Sequence, residues 1–328
     1  MSSTMEGTIK LLASEDAAPL VEGFAALVDG HTPGSRSDAF FADRHEEIWR
    51  ALGEGDWFDL GVAASAGGAG LDGRDLLEIS EAWGRSLFPV PFTTTMLVAR
   101  WRGTSGGLAA AGATFAVADG SGALAPFGDW PGISLLGADG ALDAVGPLGA
   151  VDTFAPSLPL AVVDGASPLP PQWLDELRAC LAAEAVGATQ AALTAAIAYA
   201  HERKAYGKPI GSFQAMKHLL ADVKRDVELA RSAAVWAAQV SGAENLRAAA
   251  TGVELCQRAT ASCIQVFAGI GFTWELDLHF LLRHVMAIRR VVSAGAAGLP
   301  GGAGGARGAG AGARAGVGAT GGASPAER

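Results

Sequence analysis

Cysteine is scarce in this chain: Cys180, Cys256 and Cys263 are the three among 328 residues. An odd number without a paired CxxC spacing builds neither a disulfide framework nor a thiolate metal site. Cys256 and Cys263, seven positions apart, share one face of any helix they occupy and read as small buried core residues in a reducing compartment. Long apolar runs are also missing, since no stretch holds the ~18 unbroken apolar residues of a membrane span. The opening MSSTMEGTIK has neither the charged start nor the apolar run of a signal peptide. A cytoplasmic, soluble protein with no membrane contact is the expectation. Basic charge is short as well: 24 Lys and Arg stand against 34 Asp and Glu, a formal charge of -10. With no basic field to displace counterions from phosphates, nucleic acid is not an expected partner. Each Lys and Arg is then informative singly, as a local anion contact.

What is present falls into four zones, at about 1–107, 108–171, 172–298 and 299–328. The first is helical. Ser37 or Asp38 can cap a helix through Phe40, Phe41, His45, Ile48, Trp49 and Leu52, stopped by Gly53 and Gly55. A second helix spans Asp75 to Leu87, ahead of Pro89 and Pro91, and the glycine loop Gly67-Gly68-Ala69-Gly70 lies between the two. In the second zone, short β-type runs (114–117 and 160–163) alternate with Gly, Asp and Pro turns, enough for a small sheet. Helical periodicity returns in the third zone, as helices over about 172–202, 212–241, 243–268 and 275–296. Long helices joined by short breaks pack as an antiparallel four-helix bundle. The last zone, with 11 Gly in 28 residues, is too poor in apolar side chains to offset its ordering entropy and reads as a disordered tail. The fold class is mainly α with a reduced β segment.

The most specific stretch is Tyr199 to His218, YAHERKAYGKPIGSFQAMKH. A helix ends near Arg203, the chain turns through Gly207-Lys208-Pro209, and a new helix starts with Ser212 as its N-cap. Arg203, Lys208, Gln214 and a helix N-terminus therefore meet in one turn. That combination of guanidinium, backbone N–H groups and helix dipole suits a phosphate. A basic turn on an ordinary surface is the competing reading.

The run ERKAYGKPIGSFQAMKHLLAD resembles the signature of the acyl-CoA dehydrogenase C-terminal helical domain, an Arg–two residues–aromatic–Gly run leading to Phe-Gln and then Lys. Gln265 to Glu275, QVFAGIGFTWE, is similar to that family's Gln-x-x-Gly-Gly-x-Gly-Phe stretch. LGVAASAGGAGLDGRDLLEISEAWGRSLFPVPF resembles its helical N-terminal domain. The resemblance implies FAD as cofactor, with Arg203, Phe213, Gln214, Gln265 and Gly269 touching the ADP half of a flavin held mainly by a neighbouring subunit. Tyr206 stands at the aromatic position, as packing. Asp175 and Arg178 fall where relatives contact the acyl-CoA thioester.

Departures from the pattern shape the functional expectation. The β zone is short and lacks a Thr-Glu-Pro-Gly-Ala-Gly-Ser-Asp-like segment, which in relatives wraps the flavin ring. The general base that many relatives carry about twenty residues beyond the Gly-Phe pair falls near Val292, which has no carboxylate. Glu176, beside an alternative base position at Leu177, and Glu184, a lone charge in CLAAEAVGATQ, are the remaining candidates. Glu184 reads otherwise as a packing carboxylate bonded to a neighbour. Ala268 replaces the first glycine of the Gly-Gly pair, a mild steric change, and Glu275 caps the last helix. The chain thus resembles the shortened subunit of α2β2 acyl-CoA dehydrogenases, which desaturate acyl-CoA thioesters with a homologous partner subunit. A self-sufficient homo-oligomer using Glu184 or Glu176, and a non-catalytic scaffold, are the alternatives. No metal site is expected.

Overall fold

The computed structural model describes residues 10, 12–32, 44–119, 122–144, 154–163, 169–273 and 276–294. Ser37, Asp38, Glu275 and the Gly/Ala-rich 299–328 lie outside the described residues.

The first layer is helical: α1 (Ala17–His31), α2 (Arg44–Glu54), α3 (Gly73–Gly84) and α4 (Phe92–Arg102), followed by one turn, α5 (Leu108–Ala111). Sequence periodicity missed α1, which starts without a side-chain cap and is held by the burial of Ala17, Phe24 and Val28. Phe24 stacks on Phe92 at 4.9 Å between centroids, and Trp57 and Trp83 close the same aromatic cluster. Gly53 lies inside α2 instead of stopping it. Local signals fix α3: the Asp72 carboxylate accepts the N–H groups of Arg74 and Asp75, and Asp75 reaches back to the N–H of Asp72, a reciprocal cap. The glycine loop ahead of it is sterically required, because a Cβ on Gly68 would lie 2.3 Å from the Val62 carbonyl oxygen.

The middle segment forms two small sheets. In the first, β1 (Ala113–Phe115) pairs parallel with β4 (Ser134–Leu136), and β4 pairs antiparallel with β5 (Leu142–Ala144). In the second, β3 (Gly122–Pro126) lies antiparallel between β2 (Val117–Asp119) and β6 (Leu160–Val163). The run 114–117 is thus not one strand. It breaks at Ala116 and its halves enter different sheets, a division that no local pattern encodes.

The bundle follows: α6 (Pro171–Glu202), α7 (Gln214–Ala237), α8 (Gly242–Val266) and α9 (Leu278–Ser293). Proline at the first position of α6 is preorganised for a helix start. From Leu177 to Thr189 every residue of α6 is buried, because α3, α7, α8 and α9 all pack on it. By length and composition α6 could cross a membrane, but 72% of its most apolar window is buried inside the chain, so its hydrophobicity is that of a core helix. Where α3 crosses α6 the contact is backbone on backbone. A Cβ on Gly187 would lie 1.9 Å from the Glu81 carbonyl oxygen, and one on Gly84 would lie 2.0 Å from that of Glu184. All three cysteines are buried, and burial pushes each thiol up to about 12.

Candidate functional site

The turn between α6 and α7 is a two-residue hairpin. Arg203 leaves the helix in extended geometry and its carbonyl accepts the Ile210 N–H at 2.7 Å. Strands β7 (Lys204–Ala205) and β8 (Lys208–Pro209) pair across Tyr206 and Gly207, both left-handed at φ 52° and 79°. Tyr206 is 96% exposed at the hairpin tip, its ring meeting only Phe213 among the described residues, edge-on at 6.3 Å between centroids. Ser212 is not the N-cap either. Its hydroxyl donates to the Pro209 carbonyl at 2.7 Å within a 3₁₀ turn, and α7 starts at Gln214 with Phe213 as a cap that has no side-chain acceptor. The Phe213 carbonyl accepts the N–H groups of Met216 and Lys217, so those of Gln214 and Ala215 keep their capacity for an external anion. Lys208 Nζ lies 4.5 Å from the Phe213 ring centroid.

Beside the turn, α8 ends and a 3₁₀ turn, Ala268–Phe272, begins. Tyr199, Arg203, Ile210, Val266, Phe267, Ala268, Gly269 and Ile270 line an open trough of about 450 Å³. Tyr199 and Phe267 stack at 4.4 Å to make its floor. Arg203 and Gly269, 66 residues apart, thus share one wall and rim, with Gln265 exposed on the last turn of α8. A Cβ on Gly269 would meet nothing within 4 Å, so that side is open to an occupant. Ala268 is more than a mild change: it holds φ 53°, a left-handed position where an L side chain costs about 1–2 kcal/mol.

Asp175 and Arg178 lie at the far end of α6, away from the turn. The Asp175 carboxylate accepts the Gly242 N–H at 2.8 Å at the start of α8. Arg178, 2% exposed, donates to the carbonyls of Val292 (3.2 Å) and Ala294 (3.1 Å) at the end of α9. Burial lowers the Arg178 guanidinium pKa from its ordinary value, and Asp175 opposes that shift. Asp175 and Glu176, but not Arg178, line a cleft of about 830 Å³ between the glycine loop, α4 and the junction of α7 with α8. In that cleft Glu176 accepts from Arg100 Nε at 2.6 Å and Trp101 Nε1 at 2.7 Å, and Trp101 stacks on Trp173 at 5.1 Å. Arg100 also donates to the carbonyls of Gly61 and Leu71, which ties the glycine loop to the cleft floor.

Glu184 is buried and accepts from Thr93 Oγ1 at 2.7 Å. Its other oxygen is 3.0 Å from His284 Nε2, whose Nδ1 is 2.8 Å from Ser157 Oγ. Four side chains from α4, α6, α9 and the middle segment thus form one network, in which Glu184 is the packing carboxylate bonded to its neighbours. Its partners Thr93, His284 and Ser157 were not expected, and an imidazole on the apolar face of α9 was the one local signal for them. Val292 is fully buried in the core. Among the described residues no group of three or more His, Cys, Asp and Glu is arranged to hold a metal.

This helical layer, small β segment and helical bundle define an acyl-CoA dehydrogenase fold, and residues 171–291 match the family described as Acyl-CoA dehydrogenase, C-terminal domain. The chain is 33% identical over 294 residues to the acyl-CoA dehydrogenase IpdE2 of Mycobacterium tuberculosis, covering 82% of this chain and 90% of IpdE2. It is 32% identical over 317 residues to FadE34 of the same organism, covering 79% of this chain but only 44% of FadE34. In structure it resembles the ChsE4-ChsE5 complex from Mycobacterium tuberculosis, with TM-score 0.67 and 19% identity over 87% of this chain and 95% of that one. The chain belongs to the acyl-CoA dehydrogenase family.

Proposed function

We propose that this chain is a subunit of a hetero-oligomeric acyl-CoA dehydrogenase and completes an FAD site whose ring is held by a partner. The carrying observation is the trough at the turn, where Arg203 and Gly269 meet beside Gln265 and the uncapped start of α7. Those groups fit a diphosphate: a guanidinium, free backbone N–H groups, exposed amides at Gln214 and Gln265, and an open glycine. Phe213, under Lys208, braces the rim. The small sheets of the middle segment offer less to an isoalloxazine, which favours a ring held elsewhere. ChsE4-ChsE5, a complex of two differently named chains, supports the same reading by analogy of fold.

The chemistry FAD supplies in acyl-CoA desaturation is acceptance of the β-hydride. This chain's share is binding and orientation: Arg203 neutralises phosphate charge, and Gln214 and Gln265 satisfy ribose or phosphate oxygens. The α-proton goes to a carboxylate outside this chain, because Val292 stands where relatives hold the base and Glu184 is enclosed between Thr93 and His284. The acyl-CoA thioester meets this chain at the 830 Å³ cleft beside Asp175. A self-sufficient homo-oligomer is the second reading, favoured by Glu176 facing that cleft.

The test is purification through a tag on this chain. A yellow complex with a second subunit is expected, and Arg203→Ala should strip its flavin. A chain that alone is yellow and oxidises acyl-CoA thioesters, with activity lost in Glu176→Gln, overturns the proposal in favour of the second reading.

A further inference from the structure

Each carboxylate that lines the large cleft is already engaged. Asp72 caps α3 and pairs with Lys10, and Asp175 accepts the Gly242 N–H. Glu176 places one oxygen on Arg100 Nε and the other on Trp101 Nε1. Those two donors are consecutive residues in the last turn of α4, so a single carboxylate fixes a guanidinium and an indole together.

The contacts continue beyond both donors. Arg100 Nη1 donates to the carbonyls of Gly61 at 3.0 Å and Leu71 at 2.8 Å, which lie at opposite ends of the glycine loop. A Cβ on Gly61 would lie 2.9 Å from Arg100 Cδ, so the start of the loop is seated on the stem of that side chain. Trp101 passes the contact to Trp173, whose ring lies parallel to it within 4°. Gly61, Leu71, Arg100, Trp101, Trp173 and Glu176 all line the cleft. Between its ends the loop gains little from the core, because residues 63–67, 69 and 70 are exposed. A segment with few buried contacts opens easily and takes its position from the ties at its ends.

We infer that Glu176 is a positioning residue: through Arg100 and Trp101 it holds the glycine loop and the indole wall at a fixed separation, and so sets how tightly the cleft grips an acyl thioester. This rests on the cleft as the place of the thioester in the proposed function, and it gives Glu176 a part opposed to that of a general base. Loss of a base lowers kcat, whereas loss of a wall support weakens binding and leaves the chemical step alone.

The experiment uses the full chain isolated through its tag, with any subunit it carries, and octanoyl-CoA as the probe. Calorimetry gives Kd, an artificial electron acceptor gives kcat, and hydrogen exchange read by mass spectrometry follows the loop amides of Ala69, Gly70 and Leu71, which donate to the carbonyls of Asp59, Val62 and Leu60. Glu176→Ala should raise Kd about tenfold and speed exchange at those amides about tenfold, with kcat within about threefold of wild type. Arg100→Ala should do the same, and the double variant should be no worse than either single one, because both break one relay of contacts. Glu176→Gln keeps an acceptor for Arg100 and should bring Kd and exchange back to within about threefold of wild type. Kd and loop exchange unchanged in Glu176→Ala overturn the positioning role and leave the proposed function standing. A kcat lowered about 10²-fold in Glu176→Gln at unchanged Kd makes Glu176 the base and overturns both. A wild-type protein that does not bind octanoyl-CoA overturns the cleft as the place of the thioester, and this role with it.

Discussion

Asp175 and Arg178, one turn apart on α6 and 3.6 Å from each other, each face the end of a different helix: Asp175 the N-terminus of α8, Arg178 the C-terminus of α9. Each charge has the sign that the helix end favours, and each satisfies a backbone group that the helix itself leaves open. Arg178→Met should therefore destabilise the chain by about 2–4 kcal/mol, since it leaves two buried carbonyls without their donor and Asp175 without its counter-charge. Asp175→Ala should cost about 1–2 kcal/mol as a lost cap. Urea denaturation measures both. A raised KM for the thioester with unchanged stability would instead make Arg178 a substrate contact.

Glu184 and His284 give a second test. Removing the imidazole in His284→Ala leaves a buried carboxylate half-satisfied and should cost about 3–5 kcal/mol, read as a lower denaturant midpoint. Glu184→Gln keeps the shape and a hydrogen bond, so desaturation by the assembled complex should stay within about threefold of wild type. A general base would show a loss of about 10²-fold or more.

At the crossing of α3 and α6 there is no room for a methyl group. Gly187→Ala should destabilise by about 1–3 kcal/mol or more, because backbone cannot yield as a side-chain tip can. Gly269→Ala, with open space around it, should leave the melting temperature unchanged and lower flavin retention in the complex.

Relief of strain is expected at Ala268. Glycine removes a left-handed penalty of about 1–2 kcal/mol and adds about 0.5–1 kcal/mol of unfolded-state entropy. Ala268→Gly should raise stability by up to about 1 kcal/mol, seen as a higher melting temperature. A lower one would contradict the φ of 53°.

The buried thiols predict a pH dependence. Each folded value is raised from 9.0 to about 12, so folded and unfolded states are equally protonated below about 9 and nothing is lost there. Between about 9 and 12 the unfolded state releases protons that the folded state retains, so stability falls as pH rises. Thiol reagents at pH 8 should label none of the three until denaturant is added; rapid labelling of the native chain would contradict their burial.

Helix placement in the bundle was legible because Ala/Leu periodicity and Gly/Pro breaks are local. The expected 172–202 stands against an observed Pro171–Glu202, and the glycine loop and the strand at 160–163 were legible for the same reason, but the division of the middle segment into two sheets was not. Helix α1 was not, since it has no side-chain cap and is stabilised by aromatic contacts with residues far along the chain. Ser212 was misread because its hydroxyl found a nearer carbonyl in a 3₁₀ turn.

The sequence by itself determined the family, the four bundle helices, the absence of a carboxylate at Val292, and the gathering of Arg203 and Gln214 at one turn. All of these depend on residue identity or on neighbours within a few positions. Tertiary structure alone decided that Gly269 joins Arg203 at the trough, that Glu184 is enclosed by Thr93 and His284, and that Asp175 and Arg178 serve helix ends. Those outcomes depend on which helix faces meet across separations of 66 to 116 residues. A local pattern fixes a helix's apolar stripe but not the partner that covers it.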